Sequence, residues 1–177
     1  MTLKAYITNL NKYNRGELVG RWIDFPITDD EKEKLEEELN IYIDYNEDGD
    51  NYFFTDYDTD SPALYKMLKE HYRLEDLEEI AEALEDIADD DSELFDAILD
   101  NSTDLDEALT TYQDNNYHVY YNCYDMGDVA REYCEECGIT SQIPEDLRYY
   151  FDYDAYGDYL YTMNYFIKLS NSYIEIW

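Results

Sequence analysis

The chemistry this chain offers first is that of the carboxylate. Between Leu74 and Leu109, sixteen of 36 positions are Asp or Glu and none is Lys or Arg. They are Glu75, Asp76, Glu78, Glu79, Glu82, Glu85, Asp86, Asp89, Asp90, Asp91, Glu93, Asp96, Asp100, Asp104, Asp106 and Glu107. After Arg73 the next basic residue is Arg131. Carboxylates can act as acid–base pairs, as metal ligands or as a fixed anionic surface. With 45 of them along the chain, some pair will approach by chance, so spacing marks no glycosidase-like dyad.

Two other sets carry ligand chemistry. Asp44, Asn46 and Asp48 with Gly49 match positions 1, 3, 5 and 6 of an EF-hand loop. The match ends there, because Asn51 stands at position 8 and Thr55 where a bidentate Glu is needed. An acidic hairpin turn is the expectation, with weak divalent binding as the alternative. His118, Cys123, Cys134 and Cys137 supply the ligand types of a Cys3His zinc site. Cys134 and Cys137 fall one turn apart on a predicted helix rather than on a knuckle, so reduced core cysteines are expected and no metal site is assigned. There is no serine nucleophile elbow, phosphate-cradling glycine loop or HExxH, and His71 and His118 are the only histidines. No catalytic residue and no cofactor is assigned, and the chain reads as a non-enzyme.

The elements that must position these groups follow from periodicity. Leu74, Leu77, Ile80, Ala81, Leu84, Ile87 and Ala88, then Leu94, Phe95, Ile98 and Leu99, recur at i, i+3, i+4, i+7, which predicts amphipathic helices with one buried stripe. Exposed helices usually interleave Glu with Lys, since opposite charges at i,i+4 help and like charges hurt by about 0.2–0.5 kcal/mol per pair. This stretch gives up that help throughout, so the carboxylates themselves are read as the function.

Upstream, Leu3–Asn9 and Glu17–Phe25 read as strands. Thr28 with Glu31 forms a capping box for a helix to about Leu39. Asn40–Tyr45 and Tyr52–Thr55 read as short strands around the turn signal Asp48-Gly49. Ser61-Pro62 opens a helix over Ala63–Tyr72. Helices follow over Leu74–Asp89, Glu93–Asp100 and from Ser102-Thr103-Asp104 to about Tyr112. Tyr117–Cys123 reads as β, and Asp125–Cys137 as a helix stopped by Gly138. Pro144 opens a helix to about Asp154, Asp154–Leu160 reads as a turn or short helix, and Tyr165–Leu169 with Ser172–Trp177 as a closing hairpin. The fold class is α+β, with three small domains at 1–60 (α+β), 61–113 (all-α) and 114–177 (α+β).

Twelve basic against 45 acidic residues leave a net charge of −33. Aromatics at 17%, with 22 Tyr, supply enough apolar surface for a folded protein rather than an acidic tail. Self-repulsion of this size favours an elongated body. Nucleic acid and anionic membranes are poor partners for such a polyanion, whereas a basic cleft is favoured. No apolar run approaches the ~20 residues of a membrane span. Three cysteines without a disulfide pattern, and no signal-peptide core, suggest the cytoplasm. Halophilic adaptation is the alternative for the acidity, but it is not usually joined to this much tyrosine. The late tyrosines, from Tyr149 to Tyr173 with Phe151 and Trp177, make the C-terminal part the expected self-association surface.

Three segments resemble the ArdA family of antirestriction proteins, DNA mimics carried by mobile elements. Tyr6–Pro26 (YITNLNKYNRGELVGRWIDFP) is similar to the family opening, and Asp128–Gly138 (DVAREYCEECG) to the helix before the antirestriction motif. Ile143–Leu160 (IPEDLRYYFDYDAYGDYL) is similar to that motif, with Pro144, Leu147, Tyr150, Asp152, Tyr153, Ala155, Tyr156 and Gly157 in matching places; Phe151 lies among them. Asp158-Tyr159 departs from the basic–acidic pair that relatives often carry there. The resemblance implies a curved three-domain protein that dimerises through its C-terminal domain. It also implies that surface carboxylates imitate duplex phosphates and occupy the DNA-binding groove of type I restriction–modification enzymes, on their methyltransferase core, blocking restriction and often modification, without cofactor or catalysis. An acidic decoy or chaperone for other basic DNA-binding proteins is the alternative, and a calcium-responsive binding protein a further one.

Overall fold

The computed structural model describes residues 1–43, 51–69 and 72–177. Its chain divides into two compact units, Met1–Leu105 and Asp106–Trp177. Each is built of helices and a three-stranded antiparallel sheet, an α+β construction.

In the first unit, β1 (Leu3–Asn9) is followed by the single-turn α1 (Leu10–Tyr13), β2 (Gly20–Phe25), α2 (Asp29–Leu39) and β3 (Tyr52–Thr59). The strand order is β2-β1-β3, so the first strand lies in the middle. Strand alternation sorts β1: Leu3, Ala5 and Ile7 are buried with Ile23 and Phe25 of β2, as are Leu35 and Leu39 of α2. The register of β1 on β3 shifts between Tyr6 and Ile7, a β-bulge. The Thr28/Glu31 capping box is formed. α3 (Pro62–Met67) starts on the Ser61 cap, whose hydroxyl accepts from Leu64 N–H at 3.0 Å, and packs on β3. α4 (Leu74–Glu85), the 3-10 turn Asp89–Asp91 and α5 (Ser92–Asp100) complete the unit. Leu74, Leu77, Ala81, Leu84, Ile87, Leu94, Phe95, Ile98 and Leu99 are buried as the periodicity predicts, whereas Ile80 is half-buried and Ala88 exposed.

The second unit begins at the first turn of α6 (Leu105–Gln113), and continues with β4 (Tyr117–Tyr121) and α7 (Met126–Glu136). The short α8 (Ile139–Gln142) and α9 (Glu145–Arg148) precede α10 (Tyr153–Met163), β5 (Tyr165–Lys168) and β6 (Ser172–Ile176). Here the order is β4-β6-β5, with the last strand in the middle. Tyr120, Cys123, Val129, Ala130, Leu160, Phe166 and Tyr173 form the core, flanked by Met126, Tyr133, Tyr153 and Tyr156.

Several expectations change. The strand expected over Asn40–Tyr45 is absent over 40–43: Asn40 is left-handed at φ 53°, a conformation Asn tolerates, and the chain leaves α2 there. The Asp44–Asp50 run lies outside the described residues, as does His71. β2 starts at Gly20 rather than Glu17, and β3 runs on to Thr59. The helix expected to Tyr72 ends at Met67, where Leu68 turns extended. That expected to Asp89 ends at Glu85. The helix opened by Pro144 stops at Arg148, because Asp152 caps a new one by accepting from Ala155 N–H at 3.0 Å. Asp154–Leu160 lies inside the eleven residues of α10. With the first sheet and the helices to Leu105 in one compact unit, the three-way division at 60 and 113 stays a proposal.

Candidate interaction surface

Amphipathic spacing places the carboxylates where burial of the stripe leaves them. Of the sixteen between Glu75 and Glu107, twelve are exposed and none is buried; Asp76, Glu78, Asp91 and Asp96 are half-covered. Three of those four hold structure together. Asp76 Oδ2 accepts from Arg73 N–H at 2.7 Å and closes the first turn of α4. Glu78 pairs with Lys32 of α2 at 2.8 Å. Asp96 accepts from Ser61 Oγ and, at 3.0 Å, from Ala63 N–H, which ties α5 to the start of α3. Asp100 pairs with Lys66 and Glu75 with Arg73. Glu79, Glu82, Glu85, Asp86, Asp90 and Asp106 make no ion pair among the described residues and face solvent.

The helix ends show the same bias. The last turns of α4, α5, α6 and α7 contain no basic residue, although a cation there would gain about 0.3–1 kcal/mol from the macrodipole. α2 adds Asp29, Asp30, Glu31, Glu33, Glu36, Glu37 and Glu38, which the sequence-based candidates left out. Their density was the available signal, masked by Lys32 and Lys34 among them. The Lys32–Glu78 pair joins α2 to α4, so both carboxylate sets belong to one neighbourhood. The first unit holds 31 carboxylates against 9 basic residues and the second 14 against 3, so each is polyanionic by itself.

The motif residues in the second unit divide into two groups. Gly157, Tyr153 and Tyr156 belong to the packing of α10 on α7. A Cβ on Gly157 would lie 2.1 Å from Met126 O, so only glycine fits that crossing. Tyr153 meets Phe151 edge to face at 4.8 Å and lies under Arg131 at 4.9 Å, a cation–π contact. Asp152 caps α10, and Ala155, whose N–H it receives, is exposed. Pro144 precedes α9. Leu147, Tyr149 and Tyr150 project outward, Tyr149 at 90% exposure, together with Tyr159, Tyr161, Met163 and Trp177. Phe166, by contrast, is core, so a charge placed there tests the fold rather than association.

The His118 and cysteine set is not one constellation. His118 Nε2 faces Glu136 at 3.5 Å, while Cys123 Sγ donates to Glu132 Oε2 at 3.4 Å. Among the described residues no three His, Cys, Asp or Glu side chains group as metal ligands. Cys123 and Cys134 are buried, but Cys137, expected in the core, is exposed. Burial, then the hydrogen bond to Glu132, pushes the Cys123 thiol up to about 12. Burial also raises Cys134. Thiolate is the reactive form, so at pH 8 Ellman's reagent is expected to titrate one thiol of the native chain, Cys137. The other two should react about 100-fold more slowly until denaturant is added.

The fold and this surface define a small α+β protein that shows the outside carboxylate and tyrosine. A model of the family described as "Antirestriction protein (ArdA)" matches residues 5–175 of the 177, and the chain belongs to that family. Membership implies antirestriction function. No match was found among curated proteins. Among the described residues no helix is long and apolar enough to cross a membrane.

Proposed function

We propose that this protein inhibits type I restriction–modification enzymes by placing its carboxylates where the phosphates of duplex DNA would lie on the methyltransferase core, blocking restriction and modification together. The observation that carries this reading is the acid surface of α4, which contains no basic residue of its own. Its twelve residues include six carboxylates, and at 1.5 Å rise per residue they span about 18 Å, one charge per ~3 Å. A single strand of duplex DNA presents one per ~3.4 Å. The exposed aromatic face of the second unit, around Leu147, Tyr149 and Tyr150, supports a homodimer formed there, which would double the polyanion. An acidic decoy for other basic proteins shares the electrostatics, but family membership favours the restriction enzyme.

The test is competition with DNA for a purified type I methyltransferase core across a salt series. Screening shortens from about 10 Å at 0.1 M to about 3 Å at 1 M, so affinity is expected to fall with salt. Carboxylates on a protein condense fewer counterions than a continuous duplex. The fall should therefore be shallower than that of DNA, and the protein should compete better as salt rises. A salt-independent affinity would sink electrostatic mimicry.

A further inference from the structure

We propose that the outward face of the first sheet holds a receptor for one arginine side chain of the partner protein, formed by Trp22, Tyr6, Tyr13 and Asp56. The inference rests on the reading above for the partner's identity, but its chemistry stands on the sheet itself.

Antiparallel register sets Tyr6 of β1 between Trp22 of β2 and Asp56 of β3. All three side chains leave the sheet on the side opposite the buried Ala5 and Ile7. An open groove of about 480 Å³ runs there, with Tyr6, Tyr13, Trp22, Thr8, Thr55 and Asp56 on its walls. The rings of Tyr6 and Trp22 meet at 76° with centroids 5.5 Å apart, so their faces form a corner. Tyr13 is held edge-on to Phe53 at 5.0 Å and borders the same groove. Trp22 is 43% and Tyr13 45% exposed, although a buried position would hide far more apolar surface.

Two backbone features hold the corner. A Cβ at Gly20 would lie 2.4 Å from Ile7 O and 2.7 Å from Tyr6 Cε1, so glycine there leaves the space that the Tyr6 ring occupies. The bulge opposite Tyr6 brings both Thr55 and Asp56 to the groove; Thr55 Oγ1 is hydrogen-bonded to Tyr6 O at 3.4 Å and sits 3.2 Å from Thr8 Oγ1. Those hydroxyls have partners, so the open polar group is Asp56. Its Oδ1 accepts from Tyr57 N–H at 2.9 Å. Among the described residues no Lys or Arg nitrogen lies within ion-pair distance of it, in contrast to Asp24, which Lys4 holds at 2.9 Å one row along the same face.

Aromatic faces beside a carboxylate are the chemistry of cation recognition. A guanidinium fits better than an ammonium, being planar, weakly hydrated and able to stack and fork onto a carboxylate at once. The net charge of −33 selects a cationic partner surface, and Trp, Tyr and Arg dominate the energetics of protein interfaces. The corner adds to a diffuse polyanion what DNA lacks, a short-range seat with shape.

The experiment titrates hexa-arginine and hexa-lysine peptides, with affinities read by isothermal titration calorimetry for every variant and, in the Trp177→Phe chain where Trp22 is the one emitting indole, by its fluorescence as well. Both polycations will bind a protein of this charge. The expected result is a saturable shift of Trp22 emission with hexa-arginine, a tenfold loss of hexa-arginine affinity in Trp22→Leu and in the isosteric Asp56→Asn, and hexa-lysine affinity within twofold throughout. Equal losses for the two peptides, or an emission that ignores hexa-arginine, would overturn the proposal. If the peptide result holds but the methyltransferase core fails to bind, the restriction-enzyme reading fails and the arginine seat stands.

Discussion

Gly157→Ala is expected to lower the melting temperature of the second unit by about 10 °C, although alanine is the better helix former. Two effects oppose. In a helix interior Ala gains about 0.8–1.0 kcal/mol over Gly. Against that, the new methyl would stand 2.1 Å from Met126 O and 2.4 Å from Met126 C. Those are backbone atoms at the start of α7, not a side-chain end that can swing aside. Overpacking of this kind costs typically 1–3 kcal/mol and occasionally more. With the contact this close the clash wins, leaving a net loss of about 2 kcal/mol, and in a domain this small each kcal/mol moves Tm by about 4–8 °C. Thermal unfolding by circular dichroism measures it. Ala155→Gly, at an exposed position of the same helix, should cost only about 1 kcal/mol. A stabilised Gly157→Ala would mean that α10 does not cross α7 at this point.

Neutralising Glu79, Glu82, Glu85 and Asp86 together is expected to raise stability and remove most inhibition. Each sits three or four residues from another acid, and every such like pair costs about 0.2–0.5 kcal/mol. Glu85 and Asp86 also oppose the macrodipole at the end of α4. Replacing all four with Gln, Gln, Gln and Asn should therefore stabilise the first unit by on the order of 1 kcal/mol. Binding should move the other way. One exposed contact is worth about 0–1 kcal/mol, so Glu82→Gln alone should stay within a few-fold, while the fourfold variant should lose ten-fold or more against DNA on a methyltransferase core. Plaque counts of unmodified phage on restricting cells give the same reading in vivo. A fourfold variant both more stable and fully active would show that the acid on α4 serves something else.

Capping chemistry made much of this fold legible. Thr28 with Glu31 and Ser61 with Pro62 start helices, and Gly138 at φ 68° follows the end of one, where their side chains and conformations dictate; Asp125, read as the first helical residue, is instead the cap that accepts from Asp128 N–H at 2.9 Å. The failures are equally physical. Ile41 and Ile43 are buried with Tyr42 exposed between them, an alternation indistinguishable from a strand. Their backbone bonds go elsewhere: Tyr42 N–H donates to Asn51 Oδ1 and Ile43 N–H to Glu36 Oε1, each at 2.8 Å, and Asn9 Nδ2 donates to Leu39 O and Asn40 O. Three side chains thus do what a neighbouring strand would have done, and no local pattern announces that. α10 was hidden by Gly157, which reads as a helix breaker until the helix it crosses is known. The carboxylate surface was legible because charge needs no partner to be recognised. The corner at Trp22 was not, because it requires knowing that residues 6, 22 and 56 share a row.

The positions of the middle strands set an order of assembly. β1 lies between its neighbours in the first sheet and β6 between its neighbours in the second. During synthesis from the N-terminus the first template is available before either strand that pairs with it, so β2 and β3 can dock as they emerge. In the second sheet β4 and β5 must wait, unjoined, for Ser172–Ile176. A chain interrupted before Ser172 keeps every helix and five strands, yet leaves β4 and β5 with nothing between them and uncovers Tyr120 and Phe166. Proteolytic surveillance would meet such a fragment as a half with finished secondary structure and no closed core, so loss of the five-residue β6 amounts to loss of the unit.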